Sequence, residues 1–204
     1  MWGNNMKVLI VYCHPSRNSF TYKVCEEFSR GLKAGGHDFV MSDLYEMDFN
    51  ETMSEAEYLR EGFYVLEKSV PDDVLAEQKK IQEADAIAFI YPVFWTEAPA
   101  KLVGWFQRVW TYGYAYGVDS KMKKLDKALF LVTMGGSLND AVRQKEAEAM
   151  KTVMIGDRMF NRANSCEMIV FDGMTRGYGN DDNRNERGEK FLAQAFEKGK
   201  NLFK

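Results

Sequence analysis

Three short segments of this sequence carry residues able to hold a ligand. The first is Cys13-His14-Pro15-Ser16-Arg17-Asn18-Ser19-Phe20-Thr21, where Ser16, Asn18, Ser19 and Thr21 can donate hydrogen bonds at the start of a helix. The unpaired N–H groups and dipole of a helix start suit an anion such as phosphate, and an ordinary Ser/Asn-capped helix uses the same residues. His14 alone reads more simply as a satisfied loop histidine. Neither GxGxxG nor a GxxxxGK loop followed by Ser or Thr is present, so a dinucleotide fingerprint and an ATP-type P-loop are both unsupported. The second segment, Tyr91-Pro92-Val93-Phe94-Trp95-Thr96-Glu97-Ala98-Pro99, sets two large aromatics between prolines. Leaving them bare costs several kcal/mol at about 25 cal/mol per Å², so either the core or a planar ligand must cover them. The third, Thr133-Met134-Gly135-Gly136-Ser137, allows a ligand ring to approach backbone N–H groups closely, and equally allows a plain turn.

The elements that position these segments follow from the apolar pattern. Four nearly continuous apolar runs, Val8–Tyr12, Ala86–Ile90, Ala128–Val132 and Met168–Phe171, predict strands buried on both faces, since a half-solvated strand would alternate. A weaker strand, Phe39-Val40-Met41-Ser42, follows the helix stop Gly35-Gly36. Phe20, Val24, Phe28 and Leu32 form one helical stripe. Pro99 opens a second helix, where its missing N–H does no harm, with Leu102, Val103, Phe106, Val109 and Trp110 on its apolar side. From about Arg184 a last helix presents Phe191, Leu192, Ala195, Phe196, Leu202 and Phe203. Five strands alternating with helices predict an α/β, doubly wound parallel sheet with helices on both faces. Ligands of such sheets bind beyond the carboxyl ends of the strands, which is where all three segments fall.

Composition narrows the function. The 204 residues carry 27 Lys plus Arg against 30 Asp plus Glu, a formal net charge of −3 that argues against nucleic-acid binding. No apolar run reaches about 18 residues and the start lacks a secretory pattern, so a soluble cytoplasmic protein without membrane insertion is expected. Three scattered cysteines and two histidines build neither a disulfide framework nor a metal centre. The aromatic content of 14% exceeds ordinary core needs and suggests a flat ligand.

Leu75-Ala76-Glu77-Gln78-Lys79-Lys80-Ile81, Ala84-Asp85, Tyr91-Pro92-Val93-Phe94-Trp95, Pro99-Ala100 and Gly104-Trp105-Phe106-Gln107-Arg108-Val109 strongly resemble the NAD(P)H:quinone oxidoreductase (DT-diaphorase-like) family of flavodoxin-like flavoproteins. The His14-Pro15 to Phe20 loop and Thr133-Met134-Gly135-Gly136 occur in family order, so the resemblance covers residues 6 to 136 well. It implies a flavodoxin-like sheet in the order 2-1-3-4-5, a single domain over residues 6–204 behind a 1–5 extension, and a homodimer. It also implies non-covalent FAD, with FMN a close alternative, reduced by NADH or NADPH and reoxidised by a small quinone-like acceptor.

Residue by residue, the resemblance implies a phosphate loop of His14, Ser16, Ser19, Phe20 and Thr21. It gives Gln78 the polar side of the flavin, and the isoalloxazine ring to Pro92, Val93, Phe94, Trp95 and Thr96 with Thr133, Met134, Gly135 and Gly136. Within Tyr112-Gly113-Tyr114-Ala115-Tyr116-Gly117, Tyr114 and Tyr116 would wall the substrate site, a tyrosine offering a flat face and a hydroxyl, while such loops also make dimer contacts. Arg187 resembles an arginine at the adenosine end of FAD. Independently, Gln78 shares an inward helix face with Val74, Leu75 and Ile81 and needs a partner there, which nearby backbone would also satisfy.

One departure stands out. The family's tyrosine and histidine downstream of the glycine pair fall, by ungapped counting, on Ala141 and Ala147, and no histidine follows His37. Flavin chemistry would then proceed without that relay, and the quinone specificity is affected more than the flavin. A flavodoxin-like electron carrier and an ancillary flavoprotein subunit, such as those on bacterial potassium efflux systems, are the rival readings. Asp181 and Asp182 read as a solvated loop, Cys13 as small core, and the stretch 44–70 as a dimer arm or a surface excursion.

Overall fold

The computed structural model describes residues 5–175 and 183–204; Asp181 and Asp182 lie outside them. In chain order the elements are β1 (Lys7–Tyr12), α1 (Phe20–Ala34), β2 (Asp38–Asp43), α2 (Glu55–Gly62), α3 (Asp72–Glu83), β3 (Ala86–Pro92), α4 (Ala100–Val109), β4 (Leu125–Thr133), α5 (Ala141–Lys151) continuing into a π-helical stretch (Thr152–Arg158), β5 (Ala163–Phe171) and α6 (Arg184–Lys200). All strands run parallel in the order β2-β1-β3-β4-β5. The expected flavodoxin-like topology is the one observed.

The apolar runs are continuous because alternate residues enter two different cores. Val8, Ile10 and Tyr12 of β1, with Ala86, Ala88 and Ile90 of β3, pack with Val24, Phe28 and Leu32 of α1 and Ala195 of α6. Leu9, Val11, Ile87, Phe89 and Tyr91 face the other way, against Val74 and Ile81 of α3 and Leu102, Trp105 and Phe106 of α4. Every residue of β3 is buried, whereas β2 and β5 are half-buried along much of their length, as edge strands must be.

One helix position and one further helix differ from expectation. Leu75 is exposed while Val74, Gln78 and Ile81 are buried, because the 3.6-residue period lets 74, 78 and 81 share a face and turns 75 outward. Helix α2, inside the 44–70 excursion, is opened by a capping box: the Glu57 N–H donates to Ser54 Oγ and the Ser54 N–H donates to Glu57 Oε2. The Ser-x-x-Glu spacing is the sequence signal that reveals it.

Helices α1 and α6 touch backbone to backbone. A Cβ on Gly31 would lie 2.0 Å from Phe196 O, and one on Gly199 would lie 2.3 Å from Phe28 O. Glycine lowers helix stability by about 1 kcal/mol relative to alanine, and the close contact explains why it is kept. Gly31→Ala is therefore expected to destabilise the protein by at least about 2 kcal/mol in urea unfolding. Gly156→Ala, inside the helical stretch and with nothing within 4 Å of its methyl, should not destabilise the protein and should raise its stability by up to about 1 kcal/mol.

Candidate functional site

The segments after β1, β3 and β4 meet around an open cleft of about 400 Å³. His14, Ser16, Ser19, Phe20 and Thr21 line it from the first segment, Pro92, Val93 and Phe94 from the second, and Thr133, Met134 and Gly135 from the third. Asn18, Met174 and Arg184 complete the wall.

The first loop caps its helix and leaves donors over. Ser19 Oγ accepts from the Tyr22 N–H at 3.0 Å and Ser16 Oγ from the Asn18 N–H at 3.2 Å, so these oxygens serve the local fold while each hydroxyl hydrogen stays available to an outside acceptor. Among the described residues, no acceptor takes the N–H of Ser19, Phe20 or Thr21, the orphan donors that every helix start leaves. His14 Nδ1 accepts from the Ser16 N–H at 2.9 Å. Burial pulls the pKa of this imidazole down, so near neutral pH the ring is uncharged and its proton sits on Nε2. Thr21 and Thr133 are both buried, their hydroxyl oxygens 2.7 Å apart. One of their two hydrogens closes that bond; the other remains for a ligand.

The aromatic segment forms a tight turn. Phe94 N–H donates to Glu97 O at 2.8 Å and Glu97 N–H to Phe94 O at 3.0 Å, with φ +53° at Trp95 and +65° at Thr96. Two successive left-handed residues match a type I′ turn, a conformation usually given to Asn and Gly; each non-glycine residue here stores about 1 kcal/mol or more of strain. Trp95 is 100% exposed and Phe94 45%. Among the described residues nothing covers the indole, which argues against the hydrophobic-plug reading.

In the third segment neither glycine has a positive φ, so unusual backbone geometry is not why they are there. A Cβ on Gly135 would lie 2.3 Å from Thr175 Oγ1, and one on Gly136 would lie 2.9 Å from Arg143 Nε. The loop is tied to the segment after β5 through Gly173 N–H to Gly136 O at 2.9 Å and Met174 N–H to Met134 O at 3.0 Å. The Gly135 and Gly136 N–H groups have no acceptor among the described residues.

A second cleft of about 260 Å³ shares Phe20, Met174 and Arg184 with the first and adds Lys23, Asn185, Gly188, Glu189 and Leu192. Arg184, one helical turn before Arg187, is the arginine in its wall, with Nε donating to Met174 O at 3.2 Å. Arg187 instead bonds Gly173 O through Nη2 at 2.6 Å. The resemblance points to Arg187; the cleft wall holds Arg184.

Three expected site residues lie elsewhere. Gln78 is buried, with Nε2 donating to Val109 O and Thr111 Oγ1, both at 3.0 Å; its need for a partner is met inside the α3–α4 packing and its amide is not aimed at the cleft. The buried Tyr114 hydroxyl donates to Gln78 O at 3.1 Å, and burial pushes its pKa up. The Tyr116 hydroxyl donates to Glu61 Oε2 at 2.8 Å. Neither tyrosine lines the cleft of its own chain, because Glu61, which also accepts from the Tyr112 N–H at 2.7 Å, holds their loop against α2. Trp95, Thr96 and Gly136 flank wall residues rather than lining the wall. Ala141 is the exposed first residue of α5 and Ala147 is buried on it. Burial pushes the Cys13 thiol up to about 12, in keeping with small core.

The chain matches the family described as having a flavodoxin-like fold over residues 6–195. It is 37% identical over 148 residues to NAD(P)H dehydrogenase (quinone) 1 of Rattus norvegicus, covering 64% of this chain and 54% of that protein. It is 34% identical over 148 residues to the ribosyldihydronicotinamide dehydrogenase (quinone) of the same species, covering 64% of each. The match thus spans somewhat over half the length of these relatives. A solved NAD(P)H:quinone oxidoreductase from Methanothermobacter marburgensis superposes with a TM-score of 0.89 at 40% identity, covering 97% of both chains. The chain belongs to the flavodoxin-like family and, within it, to the NAD(P)H:quinone oxidoreductase group.

The threonine pair gives a direct check on the cleft floor. Thr133→Val leaves Thr21 Oγ1 buried without its partner and is expected to lower stability by about 1–3 kcal/mol, while the double change Thr21→Val, Thr133→Val recovers much of the loss. Denaturant titration of the three variants reads both.

Proposed function

We propose that this family member is a cytoplasmic, flavin-dependent NAD(P)H oxidoreductase that passes hydride equivalents from NADH or NADPH to a quinone or similar acceptor. One observation carries the reading: unpaired N–H donors at the start of α1 and an uncovered aromatic turn border one cleft, donors for a phosphate at one end and a flat apolar face at the other. A flavin has these two parts joined in one molecule.

His14 Nε2–H, the hydroxyls of Ser16 and Ser19 and the N–H groups of Phe20 and Thr21 would hold the phosphate. Pro92, Val93, Phe94, Trp95 and Thr96 would take the ring on one side, and Thr133 to Gly136 on the other. The second cleft, with Lys23 and Arg184, offers room and cations for an adenosine diphosphate end, which supports FAD over FMN. The bound flavin supplies hydride acceptance and donation. The chain supplies orientation, and the Gly135 and Gly136 N–H groups place positive dipoles where negative charge on a ring would be stabilised. With alanine at 141 and 147, neither of these positions adds a phenol or an imidazole to them. Tyr114 and Tyr116 would meet a substrate only across a homodimer. The exposed Tyr58, Phe63, Tyr64 and Leu66 near their loop favour such an assembly, since apolar clusters of this kind mark protein contacts.

Purified protein is expected to carry about one flavin per chain, with the released cofactor's mass distinguishing FAD from FMN, and to oxidise NADH or NADPH when a quinone is added. Colourless protein that takes up neither flavin would refute the reading; bound flavin without NAD(P)H oxidation would point to an electron carrier. Trp95→Ala should weaken flavin binding about three- to tenfold through lost ring contact, with the melting temperature unchanged because the indole touches no core. Unaltered flavin affinity would remove Trp95 from the site.

A further inference from the structure

The Trp95 turn is strained and projects an uncovered indole. What holds it lies behind it. Glu97 closes the turn, and its Oε1 accepts from the Ala98 N–H at 2.8 Å and stands 3.5 Å from Arg158 Nη1. Arg158 is the last residue of the π-helical stretch after α5, a type of winding that is rare and concentrates at functional sites. Its guanidinium lies over the Phe106 ring, 5.1 Å from the centroid, and its carbonyl accepts from Trp110 Nε1–H at 2.6 Å. The side chain is only 14% exposed, against 47% for Glu97. The arginine is therefore the fixed member of the pair and the carboxylate the one that is held. Tyr91, at the end of β3, lies within electrostatic reach of both charges. Its phenol is fully buried and lacks a hydrogen-bond partner among the described residues, so it does not compete for the carboxylate.

We propose that Arg158 is a positioning residue for the cofactor site: through Glu97 it keeps the Trp95–Thr96 turn in its left-handed form before a ligand arrives, so the aromatic face is presented already ordered. Binding to an ordered face avoids the entropy of fixing the turn during association. The effect on the turn stands by itself; the consequence for flavin rests on the function proposed above. The device uses an element from the far side of β4 to fix a loop after β3, and neither Arg158 nor Glu97 lines the cleft.

Amide hydrogen exchange at Phe94 and Glu97, whose N–H groups close the turn, reads it directly in the full-length protein. Arg158→Gln is expected to speed exchange at both amides about two- to fivefold, the range of a partly exposed ion pair, and Arg158→Lys to restore most of the protection. Glu97→Gln, which keeps an oxygen for the Ala98 N–H, should match Arg158→Gln, and the double variant should add nothing further. Flavin dissociation constants should rise by a similar factor with KM for the nicotinamide unchanged. Exchange unaltered in Arg158→Gln, or an equal further increase in the Glu97→Gln background, would overturn the assignment. Wild-type protein that binds no flavin would defeat the functional reading alone, because the exchange arms still decide the role of Arg158.

Discussion

A parallel sheet whose central strands are buried over most of their length dictates the rest of this molecule. Because β1, β3 and β4 are covered on both faces, each connection must cross over a face in a helix, and the loops that turn chain from strand to helix collect at the carboxyl edge. Among the described residues, the first N–H groups of α1 find no internal acceptor, since no helix can satisfy its own first donors, and the N–H groups of Gly135 and Gly136 after β4 find none either. The cleft is thus a by-product of the packing before it is a binding site. Side chains such as His14 and Ser16 refine a surface whose polarity the backbone has already set.

Opposite that backbone surface stands the aromatic turn, whose order depends on charge rather than on burial. The same economy appears in the 44–70 excursion. Arg108 is buried and bonds Glu57 at 2.7 Å, Asp73 at 2.5 Å and Asn50 O at 2.6 Å, with Phe49 against its plane. Arg60 bonds Lys68 O and Tyr112 O. Burial pushes the Glu57 carboxyl up, but the Ser54 and Arg108 hydrogen bonds outweigh it and leave its pKa below the usual range. Its contribution to stability is therefore complete above the ordinary carboxylate range and fades as pH falls below it. A buried charge with several partners stabilises one arrangement over its alternatives, because loss of any partner leaves the others exposed to a desolvation penalty. The excursion is consequently a fixed shelf for the tyrosine loop.

Legibility in the sequence followed the range of the interaction. Strand identity and the α1 stripe could be read because double burial writes itself into consecutive residues. The resemblance placed most of the cleft wall for a related reason, since spacing within one strand-end loop survives as a local pattern. Gln78 was correctly seen as inward and needing a partner, but its partner, the end of α4, is 31 residues away in the chain, and nothing local names it. Leu75 differs by one helical position, the distance at which a period alone cannot choose a face.

By itself, the sequence determined the α/β architecture, the strand-end location of the three segments, the absence of any histidine after His37, and the presence of large aromatics needing a cover. These are one-dimensional properties, set by hydrophobic period, residue type and local turn chemistry. Only the tertiary structure decided that Trp95 is bare rather than core, that the glycine pair sits against the side chains of Thr175 and Arg143, that Arg184 faces the cleft, and that Tyr114 and Tyr116 do not line it. Each of these depends on which distant segment occupies the neighbouring space, and the chain must close its crossovers before that is settled.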